Sequence, residues 1–261
     1  MICLKLGGSL ITVKDQPGIA RPDKLEQAAQ EIAAFLDANQ GVHLIVGHGS
    51  GSFGHAAAAI HQTHLGAETS EQWRGAVDVW RAAAQLNHKL LEALAAAGVP
   101  ALALPPSASG ISIGGQLVEL AVEPVERALA AGLVPVVQGD VIFDRRQGVA
   151  IVSTEQVLLQ LAQHLIPQRI LLAGTEAGVY ADYPQRRQLM TEVSSDDLQQ
   201  ARLTGSQATD VTGGMAAKVE LAQEMARLPH RPVVRIFSGE PPSSIRQALE
   251  GQPLGSLILA A

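Results

Sequence analysis

VHLIVGHGSGSFGH, Val42 to His55, is an apolar, β-branched run that empties into a loop with four glycines and two serines and ends on a histidine. The run from Val42 to Val46 has the composition of a buried strand, and the loop after it has almost no side chains with which to pack. Its usable groups are backbone N–H donors. Glycine allows successive N–H groups to face one concavity and a ligand to approach the chain closely, which suits anionic oxygens. A helix starting near Phe53 would add the positive end of its dipole to that pull. A tight strand-to-helix turn is the alternative, but such a turn needs only one or two glycines.

Outward from this stretch the chain alternates strand and helix. Ile2 to Leu6 reads as a first strand closing on Gly7, Gly8 and Ser9, and Arg21-Pro22-Asp23 opens a helix to about Asn39. Ala56 to Gly66 fits no pattern. Gln72 to Ala97 has helical apolar spacing, and Ala101 to Leu104 is a strand closed by two prolines. A hairpin turns at Gly114-Gly115, Glu123 to Ala131 is a short helix, and Val134 to Gln138 is a strand ending in Gly139-Asp140. After a second hairpin turning at Asp144 to Gly148 come a helix (Thr154 to Ile166), a strand (Arg169 to Ala173) and a loop (Thr175 to Pro184). A helix containing Lys218 to Leu228, strands at Val233 to Phe237 and Leu257 to Leu259, and a short helix from about Pro242 to Glu250 complete the chain. This alternation predicts an α/β protein with a mostly parallel sheet covered on both faces. Ligands in such sheets bind beyond the carboxyl ends of the strands, so Lys5 to Ser9, the glycine loop, Gly139-Asp140 and Ala173 to Thr175 are expected to share one edge.

Composition narrows the chemistry. The 261 residues are 47% hydrophobic and 17% charged, which is a folded, globular balance long enough to bury a core. A net charge of −6 argues against a general binder of nucleic acid or anionic membrane. The single cysteine, Cys3, excludes an internal disulfide and fits a reducing compartment. No signal-peptide pattern and no stretch of membrane-spanning length are visible, so a cytoplasmic protein is expected.

Gly49-x-Gly51-x-x-Gly54 also matches a dinucleotide-binding fingerprint, but that fold needs a following strand with an acidic residue about 20 positions on. His64 to Trp73, HLGAETSEQW, offers no strand. GxxxxGK[ST] occurs nowhere, which excludes a P-loop. Lys5 sits between leucines in an apolar strand, where an ammonium requires an anionic partner. Lys14 and Lys218 flank glycine-rich turns and read either as surface lysines or, with Lys5, as the cationic set that phosphoryl transfer needs. His55 closes the glycine loop and could donate to a phosphate or simply pack. The other histidines show no metal-ligand spacing. Trp73, Val77 and Trp80 recur at helical spacing, either as core or as walls of an apolar substrate pocket.

KLGGSLITVK (Lys5 to Lys14), GSGSFGH (Gly49 to His55), Gly139-Asp140-Val141, Thr175 with Gly178-Val179-Tyr180, and TDVTGGMAAK (Thr209 to Lys218) together resemble the isopentenyl phosphate kinase family of the amino-acid kinase superfamily. The resemblance runs from the first strand to the last. It implies a three-layer αβα sandwich in a single domain, residues 1–261, with a phosphate-acceptor lobe over about 1–150 and an ATP lobe over about 151–261. It implies ATP-dependent phosphorylation of isopentenyl phosphate to the diphosphate, with Mg²⁺ carried on ATP, no metal held by the protein, dimethylallyl phosphate as a second acceptor and a homodimer. Carried over by position, Lys5, Leu6, Gly7, Gly8, Ser9, Ser50, Thr175, Gly178, Tyr180, Gly213, Gly214 and Lys218 would contact ATP. Gly49, Gly54, His55 and Thr154 would contact the acceptor, with Trp73, Val77 and Trp80 as its apolar walls. Lys14, with Lys5, Lys218 and His55, would serve catalysis. The chain departs from the family's GGGSFGH at Ser50 and from its SGDDL at Ser153 to Val157, STEQV. A kinase of another small phosphate or phosphonate, like fosfomycin kinase, and a nucleotide-binding regulatory subunit are the alternatives.

Overall fold

The computed structural model describes residues 1–182, 184–194, 196–197 and 214–260. Six strands run parallel through its centre: Ile2–Leu6 (β1), Leu44–His48 (β2), Ala101–Ala103 (β3), Val134–Gln138 (β6), Arg169–Gly174 (β9) and Val233–Ser238 (β13). Their order is β13-β9-β1-β2-β6-β3, and β1, the first to leave the chain, is central. Ser256–Ile258 (β14) pairs antiparallel outside β13, and Glu192–Val193 (β12) lies beyond it. A second sheet holds Gln116–Leu120 (β5), Gly110–Ile113 (β4), Asp140–Asp144 (β7) and Gly148–Val152 (β8) in that order, and Val179–Tyr180 (β10) pairs with Leu189–Met190 (β11).

Helices cover both faces of the large sheet, and the twofold alternation of β1 shows how. Ile2, Leu4 and Leu6 point into one core with the helices Pro22–Ala38 (α2), Ser70–Ala96 (α4) and Ser244–Leu249 (α8). Cys3 points into the other, with Glu123–Ala130 (α5), Thr154–Leu165 (α6) and Gly214–Ala226 (α7). Burial pushes the Cys3 thiol up to about 12, so it stays protonated and inert. Lys5 shares the Cys3 face and therefore emerges on the α6 side. Among the described residues no helix is long and apolar enough to cross a membrane.

The sandwich matches the expected architecture, with local differences. Gly8–Ile11 (α1) is a single helical turn in the presumed loop, held by Thr12 N–H on the Gly8 carbonyl. The helix after the glycine loop is Gly51–His61 (α3), so the unassigned residues from Ala56 onward begin as helix. β2 is Leu44–His48, two residues later than the apolar run, because pairing with β1 sets its register. Within the expected Thr175 to Pro184 loop lies β10.

The two ends of the fold are stapled by charge. Arg21, ahead of α2, and Lys24 in its first turn both engage the Glu240 carboxylate just after β13. The Arg21 hydrogen bond, with Lys24 behind it, holds that carboxyl below its ordinary range against the opposing effect of burial. Its contribution is therefore full above the unfolded carboxylate range and is lost as pH falls through the folded pKa. Glu240→Gln is expected to cost about 1 kcal/mol at neutral pH, with the difference from wild type shrinking below about pH 4. Urea unfolding at both pH values checks this; a difference independent of pH would contradict it.

Candidate active site

The site begins where β1 and β2 end side by side. A Cβ on Gly8 would sit 2.4 Å from the Gly51 nitrogen and 2.5 Å from its Cα, so the two glycine loops touch backbone to backbone. Gly51 has φ of +50°, and a Cβ there would lie 2.3 Å from Thr12 Oγ1. That hydroxyl donates to the Gly8 carbonyl (2.8 Å) and accepts from Ser52 N–H (3.1 Å), tying α1 to α3. Gly49 N–H donates to the Leu6 carbonyl at 3.0 Å. Among the described residues, the N–H groups of Gly8, Ser9, Ser50 and Gly51 donate to no protein acceptor. They form a nest of donors at two adjacent helix starts.

This nest is one wall of a cavity of about 560 Å³. Lys14 and His55 line the same side, and Ser153, Thr154 and Glu155 at the start of α6 and Lys218 on α7 line the opposite one. The three lysines make the cavity cationic in a chain of net charge −6. Lys5 and Glu155, 7% and 5% exposed, form a buried ion pair and hydrogen bond. Burial alone would raise the Glu155 carboxyl; the Lys5 charge and then that of Lys218 outweigh it and hold it below its ordinary range. Glu155 thus positions two lysines through one carboxylate.

Behind His55 lies an apolar recess of about 10 Å³, bounded by Ala58, Val79, Ala83, Val141 and Ile151. His55 and Ser50 line both spaces and so stand at the doorway between them. Ser50 has ordinary helical angles, and its Oγ occupies room that Gly54 leaves open, since a Cβ on Gly54 would meet it at 2.4 Å. Asp140 also borders the recess; burial raises its carboxyl against hydrogen bonds from Ser107 and Val141.

Several predicted positions lie elsewhere. Trp73, Val77 and Trp80 do not line the cavity or the recess: Trp73 packs against Phe143 with ring centroids 6.0 Å apart, while Val77 and Trp80 are 54% and 41% exposed. The inward face of α4 is that of Ala76, Val79 and Ala83, about one residue away around the helix. The Leu6 side chain is fully buried in the core, and Thr154 donates its hydroxyl to the His48 carbonyl at 2.7 Å rather than toward the cavity. Gly7 and Gly49 line the cavity, as does Met215, next to Gly214 at the start of α7. Thr175 follows β9, and Gly178 and Tyr180 lie beyond it, none of them bordering the cavity. Gly213 lies outside the described residues. Glu155 was missed; its signal was the requirement that buried Lys5 have an anion.

A doubly covered parallel sheet, an N–H nest at its carboxyl edge, and three lysines set around one cavity define a phosphoryl-transfer enzyme, a kinase. Residues 1–238 match the model of the amino acid kinase family. The isopentenyl phosphate kinase of Methanothermobacter thermautotrophicus is 35% identical over 97% of this chain and 96% of its own, and that of Haloferax volcanii is 34% identical over 84% and 86%. A solved isopentenyl phosphate kinase structure superposes with a TM-score of 0.84 at 30% identity, covering 99% of both chains. The chain belongs to the amino acid kinase family, on its isopentenyl phosphate kinase branch.

Removing the Glu155 charge leaves two lysines facing each other across a buried site. Glu155→Gln is expected to destabilise the fold by about 3 kcal/mol and to lower kcat about 100-fold. Urea unfolding and initial rates check this; wild-type values for both would overturn the role.

Proposed function

We propose that the protein transfers the γ-phosphoryl group of ATP to isopentenyl phosphate, giving isopentenyl diphosphate and ADP. What carries the reading is the doorway at His55: a cationic, donor-lined cavity on one side and an apolar recess on the other, which suits an acceptor that is itself a phosphate with a short hydrocarbon tail. Names and titles of the relatives, including a solved substrate complex of an isopentenyl phosphate kinase, support it.

Two anionic groups must be brought together in this reaction, and their mutual repulsion is the main obstacle. Lys5 and Lys218, held by Glu155, and the N–H groups of Gly8 and Ser9 bind the nucleotide phosphates. Lys14 faces the cavity from the loop after α1 and stabilises charge on the phosphoryl in flight. His55, with Gly49 and Gly54 beside it, holds the acceptor's phosphate. Thr175, Gly178, Tyr180 and Gly214 extend the nucleotide side. Residues 1–150 thereby form the acceptor lobe and 151–261 the ATP lobe.

Mg²⁺ travels with the nucleotide, supplying further charge neutralisation. The residues fit that arrangement: among those described no three His, Cys, Asp or Glu side chains converge on an ion, and Glu155, the carboxylate lining the cavity, is engaged by Lys5. We further read the enzyme as cytoplasmic and homodimeric. The single buried thiol suits the first, and the exposed apolar stripe of Val77 and Trp80 beside Phe143 the second.

ADP release with isopentenyl phosphate, dimethylallyl phosphate and fosfomycin offered side by side tests the acceptor. Turnover of the two prenyl phosphates is expected, and turnover of fosfomycin alone would overturn the reading. Ala83→Leu, which fills the recess, is expected to raise KM for isopentenyl phosphate about tenfold or more, whereas Trp80→Ala leaves it near wild type.

A further inference from the structure

His48, the last residue of β2, is wholly buried one position before the glycine loop, and nothing in the mechanism above uses it. Its ring lies between two polar partners. Nδ1 is 3.2 Å from the Gly49 carbonyl oxygen and Nε2 is 2.9 Å from Asn87 Nδ2 on α4. A carbonyl oxygen can only accept, so Nδ1 carries the hydrogen. Burial, with the Lys5 charge adding to it, pushes the imidazole down to about 4, so the ring is neutral and Nε2 is left as an acceptor for the Asn87 amide. One tautomer satisfies both contacts. The backbone of His48 is pinned as well, its carbonyl accepting from Thr154 Oγ1 at 2.7 Å and Gly139 N–H at 3.2 Å.

The Gly49–Ser50 peptide then has a fixed orientation. A trans peptide sets its C=O and the following N–H on opposite sides. With the Gly49 carbonyl turned inward to the His48 ring, the Ser50 N–H is turned outward. That N–H has no protein acceptor among the described residues, and Ser50 borders both the cavity and the recess. We propose that His48, held by Asn87, is a positioning residue that aims the Ser50 N–H at the acceptor's phosphate. The inference rests on the phosphate acceptor proposed above. It makes α4 answerable for both ends of that acceptor, since Asn87 sets the donor while Val79 and Ala83 bound the recess.

Asparagine and glutamine separate the two ring contacts. An Asn amide nitrogen reaches the place of a histidine Nδ1, and a Gln amide nitrogen that of Nε2. His48→Gln is expected to lower kcat/KM for isopentenyl phosphate about 10- to 100-fold, and His48→Asn to recover most of that loss, at similar thermal midpoints. Equal losses in the two variants would mean a packing role and would overturn the proposal. Two measurements on the wild-type protein stand whether or not the variants fold. In its imidazole ¹⁵N spectrum His48 is expected neutral with the hydrogen on Nδ1, and the other tautomer would contradict the argument. On titration with inorganic phosphate the Ser50 amide resonance is expected to move, and an unmoved resonance would overturn the assignment. Movement with phosphate in a protein that does not turn over isopentenyl phosphate would sink the acceptor reading and leave the His48 assignment standing.

Discussion

The contact between Gly8 and Gly51 is the constraint on which the site depends. β1 and β2 are neighbours in the sheet, so the chain leaves both at the same edge, and each immediately starts a helix. Two helix starts can share one small volume only if neither carries a side chain at the point of approach. Once they do, their unpaired N–H groups face the same space, and the fold has concentrated donors without committing any side chain to them. Thr12 then locks the pair with a hydroxyl that both donates and accepts. The anion nest is thus a by-product of sheet order and of glycine at two positions.

Charge is arranged on the same economy. A lysine in the interior of a central strand would be prohibitive alone, and Glu155 at the start of α6 makes it tolerable. The pair is a weak source of stability, because desolvation offsets much of its attraction. Its value is positional: a carboxylate fixed between Lys5 and Lys218 holds both ammonium groups facing a cavity that repeatedly fills and empties with phosphates. The departure from SGDDL follows the same logic. Glu155 retains a carboxylate at the start of the helix, and Thr154, in place of glycine, ties α6 to β2 through the His48 carbonyl.

Much of this was legible in the amino-acid sequence, because strand alternation, glycine after strands and a lysine between leucines each have one economical physical reading. What escaped did so for equally physical reasons. The α1 turn and the start of α3 are glycine- and alanine-rich, so no apolar periodicity marks them. The tryptophans drew the pocket to the wrong face of α4: aromatic residues at i, i+4 and i+7 look like a core stripe, yet the face that packs is built of small residues, Ala76 and Ala83 among them, since α3 and the second sheet crowd it. Thr154 was placed on the acceptor by position alone, and only the fold shows its hydroxyl turned to a backbone carbonyl. His48 was invisible because its role is set by Asn87, distant in sequence on a different helix.

The most direct test of the central claim is to close the gap between the glycine loops by one methyl group. Binding of Mg·ATP and of isopentenyl phosphate to Gly8→Ala, measured by calorimetry on protein shown to be folded by circular dichroism, reads whether the interlock makes the anion site. The account predicts a folded protein in which affinity for both ligands falls by about 100-fold or more, because the added Cβ forces Gly8 and Gly51 apart and dissolves the nest. Wild-type affinity for both ligands would show that the donors are organised by something other than this contact.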